Sequence, residues 1–163
     1  MITKDQFLQS LLHDFAIIKH LYGKVPANGW DYRPTEKQRS TRELVQYLAT
    51  APLTTLRVIV AGDAALFGQA ENGAGVTVEN FPEMLDREVQ EISSVISSMS
   101  DEDLQTPFEL WGTTLPKGMW LLNMVLKNVV AYKMQLFLYA KAAGNADIGT
   151  MDLWQGRSVA SGM

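Results

Sequence analysis

Residues 40–48, Ser-Thr-Arg-Glu-Leu-Val-Gln-Tyr-Leu, contain the clearest helix start in the chain. Ser40 and Glu43 have the spacing of a capping box, in which each side chain accepts a hydrogen bond from the backbone N–H of the other residue. This pattern predicts a helix that begins at Ser40 and runs to about Gly62. Pro52 lies inside it, and because a proline ring clashes with the carbonyl group four residues earlier, we expect a kink there.

Apolar residues at helical spacing predict three further helices. The first covers residues 3–22, the third begins after Asn80, and the last covers residues 118–143. Long connections follow the second helix and precede the last, and residues 106–117 are predicted to be irregular or extended. Four helices of this length predict an all-α fold, a four-helix bundle. We assign residues 1–148 to this bundle and residues 149–163 to a tail, for which docking through Trp154 is a hypothesis.

Composition restricts the range of partners. A chain of 163 residues is in the size range of a single domain. Its net charge of -4, with no cluster of basic residues, argues against binding to nucleic acid or to anionic membranes. The absence of cysteine excludes disulfides and thiolate ligands. Asp5, His13 and Asp14 interrupt the N-terminus where a signal peptide would be apolar, so we expect a cytoplasmic protein.

Three stretches of the sequence resemble the DinB-like (YfiT-like) family of helical bundles. They are residues 30–34 followed by 39–48, residues 99–104, and residues 132–135. In order and spacing they span nearly the whole chain, although each motif is short. The resemblance implies the four-helix bundle fold and, because homodimers are common in the family, a homodimer.

The resemblance also implies a site. Members of the family typically carry three metal-binding histidines, one on the second helix and two on the last. Carried over onto this chain, these positions are Tyr47, Asn128 and Tyr132, and Gln135 is a retained neighbour. Neutral tyrosine and an amide are poor ligands for the nickel or zinc that three imidazoles would suit. The resemblance therefore implies that the metal site is lost, and we expect neither a metal nor a cofactor.

Helix geometry predicts that these positions face inward. With about 100° of rotation per residue, Asn128, Tyr132, Gln135 and Tyr139 lie on the side of the last helix opposite Lys127 and Lys141. Tyr47 lies on the apolar side of the second helix. Buried polar groups need hydrogen-bond partners. Two interpretations remain open: these residues line a pocket for a small molecule, or the tyrosines fill the space and pair internally.

The two histidines are a weaker candidate site. His13 and His20 are seven residues apart, about 10.5 Å along a helix, which is too far for one metal ion. By rotation they lie opposite the apolar stripe of the first helix. We therefore expect both side chains to be exposed to solvent.

The last helix is apolar around most of its circumference, with Trp120, Met124, Ala131 and Leu138 on a further face. Such a helix is either central in its own bundle or covered by a second subunit, and both alternatives remain open.

The leading functional hypothesis is a DinB-like protein that lacks the three-histidine metal site and acts as a non-catalytic or small-molecule-binding module. The alternative is an enzyme, a thiol transferase or hydrolase of the DinB-like type, that uses Tyr47 or Tyr132 as acid or base. A third alternative is a structural dimer whose pocket is filled by its own side chains. The sequence does not identify the ligand.

Overall fold

Four long helical segments form the bundle in the computed structural model, which describes residues 3–70 and 73–159. The all-α bundle is confirmed, with long connections after the second segment and before the last, as predicted. Thr41–Ala61 is long and apolar enough to cross a membrane by composition, but most of it is buried in the bundle, as in a core helix. The helices are α1 Lys4–Tyr22, α2 Thr41–Leu48, α3 Ala51–Ala61, α4 Phe81–Ser98, α5 Asp101–Gln105, α6 Lys117–Trp120, α7 Lys127–Ala142 and α8 Thr150–Gln155.

The second segment is interrupted near its proline. α2 ends at Leu48 and α3 begins at Ala51, with Pro52 in its first turn. The capping box at the start of α2 is present, since Ser40 N donates to Glu43 Oε2 at 2.7 Å and Glu43 N donates to Ser40 Oγ at 3.3 Å. Both the predicted helix start and the predicted kink are therefore confirmed.

A carboxylate from another helix satisfies the start of α3. The backbone N–H of Leu53, in the first turn, donates to Oε1 of Glu88 on α4 at 3.0 Å. First-turn N–H groups have no partner inside their own helix. Glu88 thus acts as a cap supplied by the tertiary fold, although its second oxygen, Oε2, is buried without a hydrogen-bond partner among the described residues.

The stretch before the last helix forms a β-hairpin. Strands β1 (Pro107–Leu110) and β2 (Thr113–Pro116) pair antiparallel. The two residues that join them, Trp111 and Gly112, both have positive φ angles. This is typical of the two-residue hairpin turn whose backbone twist matches the right-handed twist of the strands. The indole N–H of Trp120 donates to the carbonyl oxygen of Phe108 at 2.9 Å and ties the hairpin to the last helix.

A π-helical turn, Leu121–Leu126, joins α6 to α7 in one continuous helix. A π-helical turn has hydrogen bonds between residues five apart, whereas an α-helix has them between residues four apart. The residues before this turn therefore point in directions that uniform α-helical rotation from the residues after it does not predict. This explains why Trp120 is buried whereas Ala131 and Leu138 are exposed. The prediction of one shared face for these residues was wrong, because it assumed uniform α-helical rotation.

The C-terminal helix α8 packs against α1. Its buried residues are Asp152 and Leu153, whereas Trp154 is 58% exposed. The predicted tail thus buries Leu153 and Asp152 against the bundle, and the partly exposed Trp154 ring adds a contact with Lys133, whose Nζ lies 5.5 Å from the ring centre. Residues 160–163 of that tail lie outside the described residues. Asp152 Oδ1 lies 2.7 Å from Nε2 of His20.

The two histidines therefore differ in environment. His13 is exposed, as predicted, and its Nε2 lies 3.0 Å from the carbonyl oxygen of Trp154. His20 is not, since α8 covers it and leaves 19% of its side chain exposed. The prediction for His20 was wrong because it considered α1 without the C-terminal segment.

Candidate functional site

Three predicted site residues lie in direct contact where α2 packs against α7. Tyr47 is near the end of α2, and Asn128 and Tyr132 lie four residues apart on α7, where side chains share one face. Nδ2 of Asn128 donates to the Tyr47 hydroxyl oxygen at 3.3 Å. The rings of Tyr47 and Tyr132 meet edge to face, with their centres 4.9 Å apart. We call these three residues the Tyr-Asn-Tyr cluster.

Arg39 covers this cluster. Its guanidinium carbon lies 4.1 Å from the centre of the Tyr47 ring and 5.7 Å from that of Tyr132. Its Nη1 donates to the Tyr132 hydroxyl oxygen at 3.4 Å. Cations are attracted to the faces of aromatic rings. The outer side of the cluster is thus closed by a positive charge.

Arg39 has no carboxylate partner in the part of the chain that the structure describes. Four other arginines do form ion pairs with carboxylates: Arg33, Arg42, Arg57 and Arg87. Arg39 was not among the predicted site residues, because it precedes the N-cap of α2 and helical rotation says nothing about where such a residue points. No signal in the sequence distinguishes it from its neighbours.

The inner side of the cluster has one unsatisfied polar atom. Oδ1 of Asn128 is buried and accepts no hydrogen bond from the residues described. An unpaired buried acceptor is costly to a fold. Burial also raises the pKa of the Tyr47 hydroxyl, while the hydrogen bond from Asn128 and the charge of Arg39 act in the opposite direction. Tyr47 is therefore protonated at neutral pH and is available as a donor.

The cluster does not suit a divalent metal ion. A zinc or nickel site needs unprotonated nitrogen donors or anionic ligands. Here the raised pKa of Tyr47 keeps its phenol neutral, Asn128 offers only an amide, and the guanidinium of Arg39 adds a positive charge. Within residues 3–70 and 73–159, no group of three or more His, Asp or Glu side chains is placed to hold a metal ion.

Gln135 and Tyr139 form a separate pair. Nε2 of Gln135 donates to the hydroxyl oxygen of Tyr139, one turn further along α7. The Tyr139 ring is almost fully buried and meets the ring of Tyr32 edge to face, with centres 5.4 Å apart. No hydrogen bond among described residues joins this pair to the Tyr-Asn-Tyr cluster. Gln135 and Tyr139 thus form a hydrogen-bonded pair of their own. They were predicted to share one network with the Tyr-Asn-Tyr cluster, and the two groups are separate.

A pocket of about 430 Å³ opens beside Tyr47. It lies between the loop before α2 and the outer face of α2. Glu43 on its wall is engaged twice, in the capping box and in an ion pair with Arg33 at 3.2 Å. We call this space the loop pocket; its lining residues are Arg33, Glu36, Lys37, Gln38, Arg39, Glu43, Gln46 and Tyr47.

The fold and the cluster together define an all-α bundle with a polar cluster of two tyrosines and an asparagine between its second and last helical segments. No family model matches the sequence. One relative is "Uncharacterized protein YjoA" of Bacillus subtilis (strain 168), 21% identical over 150 residues, which are 91% of this chain and 96% of YjoA. The crystal structure of YjoA, described as a DinB-like protein, superposes with a TM-score of 0.71 at 19% identity, over 85% of this chain and 92% of that chain. The resemblance to DinB-like proteins is therefore confirmed.

Proposed function

We propose that this DinB-like protein is a metal-free, non-catalytic module that binds a small organic anion at the Tyr-Asn-Tyr cluster and the adjoining loop pocket. The observation that carries the proposal is the guanidinium of Arg39, which lies on Tyr47 without a carboxylate partner among the described residues. An arginine fork matches the two oxygens of a carboxylate. The proposed ligand is therefore a small carboxylate.

The other polar groups support the same ligand class. The hydroxyl groups of Tyr47 and Tyr132 lie beside the guanidinium. Three basic side chains line the loop pocket, Arg33, Lys37 and Arg39, and they outnumber its two carboxylates, Glu36 and Glu43. Asn128 Oδ1 lacks a donor among the described residues. A small carboxylate in the loop pocket would pair with Arg39 and accept a hydrogen bond from the Tyr47 hydroxyl, because both residues line that pocket. This arrangement favours an occupied pocket over tyrosines that merely fill space.

The same chemistry disfavours Tyr47 as the general base of the enzymatic alternative. A general base must lose its proton near the working pH. The raised pKa of Tyr47 keeps it protonated at neutral pH, and the charge of Arg39 does not overcome the effect of burial. Glu43, a carboxylate on the wall of the loop pocket, is committed to Ser40 and Arg33. Tyr47 is thus suited to donate a hydrogen bond and not to abstract a proton.

Calorimetric titration with 4-hydroxybenzoate, benzoate and the uncharged benzamide tests this proposal. We expect saturable binding of the two carboxylates and at least about a tenfold loss of affinity in Arg39→Met, since one charge-assisted contact disappears. Arg57→Met is the matched control, because Arg57 on α3 is paired with Glu91 on α4 and does not line the loop pocket. Equal binding of benzamide and benzoate, or an unaffected Arg39→Met variant, would contradict the proposal.

We also propose a homodimer through α7. Val130, Met134 and Leu138 are 41%, 39% and 54% exposed and lie at helical spacing on one face. Ala131, also exposed, lies beside them, and no charged residue interrupts this exposed face between Lys127 and Lys141. We call this face the α7 stripe. An apolar stripe on one helix can pack against its own copy about a twofold axis.

A further inference from the structure

A second cavity lies on the other side of the last helix. It has a volume of about 940 Å³ and shares no lining residue with the loop pocket. One wall is α1, the other is the first half of the last helix, and α5 and the end of β2 close it. We call it the α1 groove; its apolar lining includes Phe7, Ile96, Leu104, Leu121, Leu122 and Leu126.

The shape of the α1 groove follows from the π-helical turn. Leu121, Leu122 and Leu126 belong to this turn and contribute side chains to the groove. Single π-helical turns inside α-helices are frequent at functional sites. Along α1 the lining runs from Lys4 to His13, which corresponds to about 13 Å of helix. The cavity is thus elongated along α1 and mainly apolar.

The ionisable residues of the lining are both basic. They are Lys4 at one end and His13 at the other, and no carboxylate of the described residues lines the groove. The Lys4 ammonium donates to the carbonyl oxygens of Ser97 and Met99 at 2.9 and 2.6 Å. An ammonium has three N–H donors, and these two neutral partners leave its charge uncompensated within the described part of the chain. Lys4 can therefore hold an anion at its end of the groove.

From this combination we infer that the α1 groove binds one medium-chain aliphatic carboxylate, with its chain along the leucines and its carboxylate at Lys4. Pockets for small molecules are typically apolar with a few placed polar groups. Here the apolar wall supplies affinity for the chain, and the ammonium of Lys4 distinguishes an acid from an alcohol. His13 is the less suitable end, since its Nε2 is already engaged with the carbonyl oxygen of Trp154.

Titration with decanoate and 1-decanol, both below the concentration at which decanoate forms micelles, tests the inference. We expect one decanoate per chain, bound about tenfold more tightly than decanol because of the charge-assisted contact. Lys4→Met should remove this difference. Lys19→Met, also on α1, breaks an exposed ion pair with Asp86 on α4 and should preserve the difference. Leu122→Trp should fill the groove and weaken both ligands.

A second tryptophan variant controls for the size of the new side chain. Gln90→Trp adds the same side chain to the exposed side of α4, outside both the α1 groove and the α7 stripe, and should leave decanoate binding unchanged. Circular dichroism and thermal unfolding verify that each variant is folded. Absence of saturable binding, equal binding of decanol, or loss of decanoate binding in Arg39→Met would overturn the inference. So would dissociation of a dimer on addition of decanoate, since a second copy would then be the occupant.

Discussion

The guanidinium of Arg39 lies 4.1 Å from the centre of the Tyr47 ring, so a cation covers the place where the resembled family would carry its first metal-binding histidine. A permanent positive charge at this position favours an anion and disfavours a metal ion, because like charges repel most strongly where water is excluded. The other residues of the cluster are neutral donors and acceptors. One contact thus determines the electrostatic character of the site.

The same contact predicts a titration shift. The charge of Arg39 acts to lower the pKa of Tyr47, against the larger effect of burial. Arg39→Met should therefore raise the pKa of Tyr47 further above its ordinary value. Tyrosine-specific NMR with labelled ring carbon, recorded over alkaline pH, measures it. Arg57→Met should leave the Tyr47 titration unchanged, and an unshifted curve in Arg39→Met would disprove the contact.

Glu88 should make the protein less stable as pH rises. Burial raises the pKa of its carboxyl well above the ordinary 4.5, although the hydrogen bond from Leu53 N–H acts to lower it. The contribution of Glu88 to the free energy of unfolding is therefore fully present below the pKa that Glu88 has in the unfolded chain. It is lost as pH rises through the higher pKa that Glu88 has in the folded protein. Glu88→Gln keeps an acceptor for Leu53 and removes the charge, so the free energy of unfolding at neutral pH should rise by on the order of 1 kcal/mol.

Urea unfolding of wild type and Glu88→Gln measures this effect between roughly pH 4 and pH 8, a range in which a buried carboxyl titrates. The two curves should converge toward the acid end. Glu109→Gln is the control, since Glu109 is exposed on β1, is not among the charges that act on Glu88, and should change stability little at any pH. Parallel curves for wild type and Glu88→Gln would show that Glu88 does not titrate in the folded protein.

Lys133 should be essential for stability through its pair with Asp14. Their side chains are 5% and 10% exposed, and Lys133 Nζ lies 2.6 Å from Asp14 Oδ1. Lys133→Met leaves a buried carboxylate unpaired, which should lower the free energy of unfolding by about 3–5 kcal/mol. The double variant Lys133→Met with Asp14→Leu should recover much of that loss. Denaturant unfolding measures the stability of both variants. Lys19→Met, at an exposed ion pair, is the control, and a loss of stability as large as that of Lys133→Met would contradict the role given to the buried pair.

Leu138→Glu should disrupt the proposed homodimer. The side chain is 54% exposed in the isolated chain, so a charge there costs the monomer little but would be buried in the α7 stripe. Light scattering coupled to size-exclusion chromatography should show a dimer for wild type and a monomer for the variant. Arg87→Glu, on the exposed side of α4, is a control for a surface charge change. A monomeric wild type would refute the proposed dimer.

Restoring histidines should create a metal site. Tyr47, Asn128 and Tyr132 are in contact, so the triple variant Tyr47→His, Asn128→His and Tyr132→His places three imidazoles at one point. With Arg39→Met added to remove the covering charge, we expect the variant to bind zinc more tightly than wild type. Competition with a chromogenic chelator measures it. Failure of a folded variant to bind zinc would show that these positions do not correspond to the family's ligand positions.

Features that depend on local spacing could be predicted from the sequence. The capping box of Ser40 and Glu43, the break before Pro52 and the four helices all follow from residues close together in the chain. The contact of Tyr47 with Asn128 could be anticipated because the resemblance predicts that both positions correspond to ligand positions of the DinB-like family. In each case a short pattern is sufficient to fix the geometry.

Features that depend on distant contacts could not be predicted. The pairing of Lys133 with Asp14 joins residues 119 positions apart, and His20 is covered by a segment 132 positions away. Arg39 reaches the cluster from an exposed loop, where no periodicity applies. The π-helical turn leaves no pattern in the sequence, so it displaced Trp120 from the face on which uniform rotation had placed it.

The most direct test of the central claim is a titration of zinc and of nickel into chelator-treated wild-type protein, followed by calorimetry. The claim is that the Tyr-Asn-Tyr cluster under Arg39 is a metal-free anion site. We predict no saturable one-to-one binding of either metal, with 4-hydroxybenzoate binding unchanged by chelator. Tight stoichiometric metal binding that is lost in Tyr47→Phe or Asn128→Ala would contradict the claim.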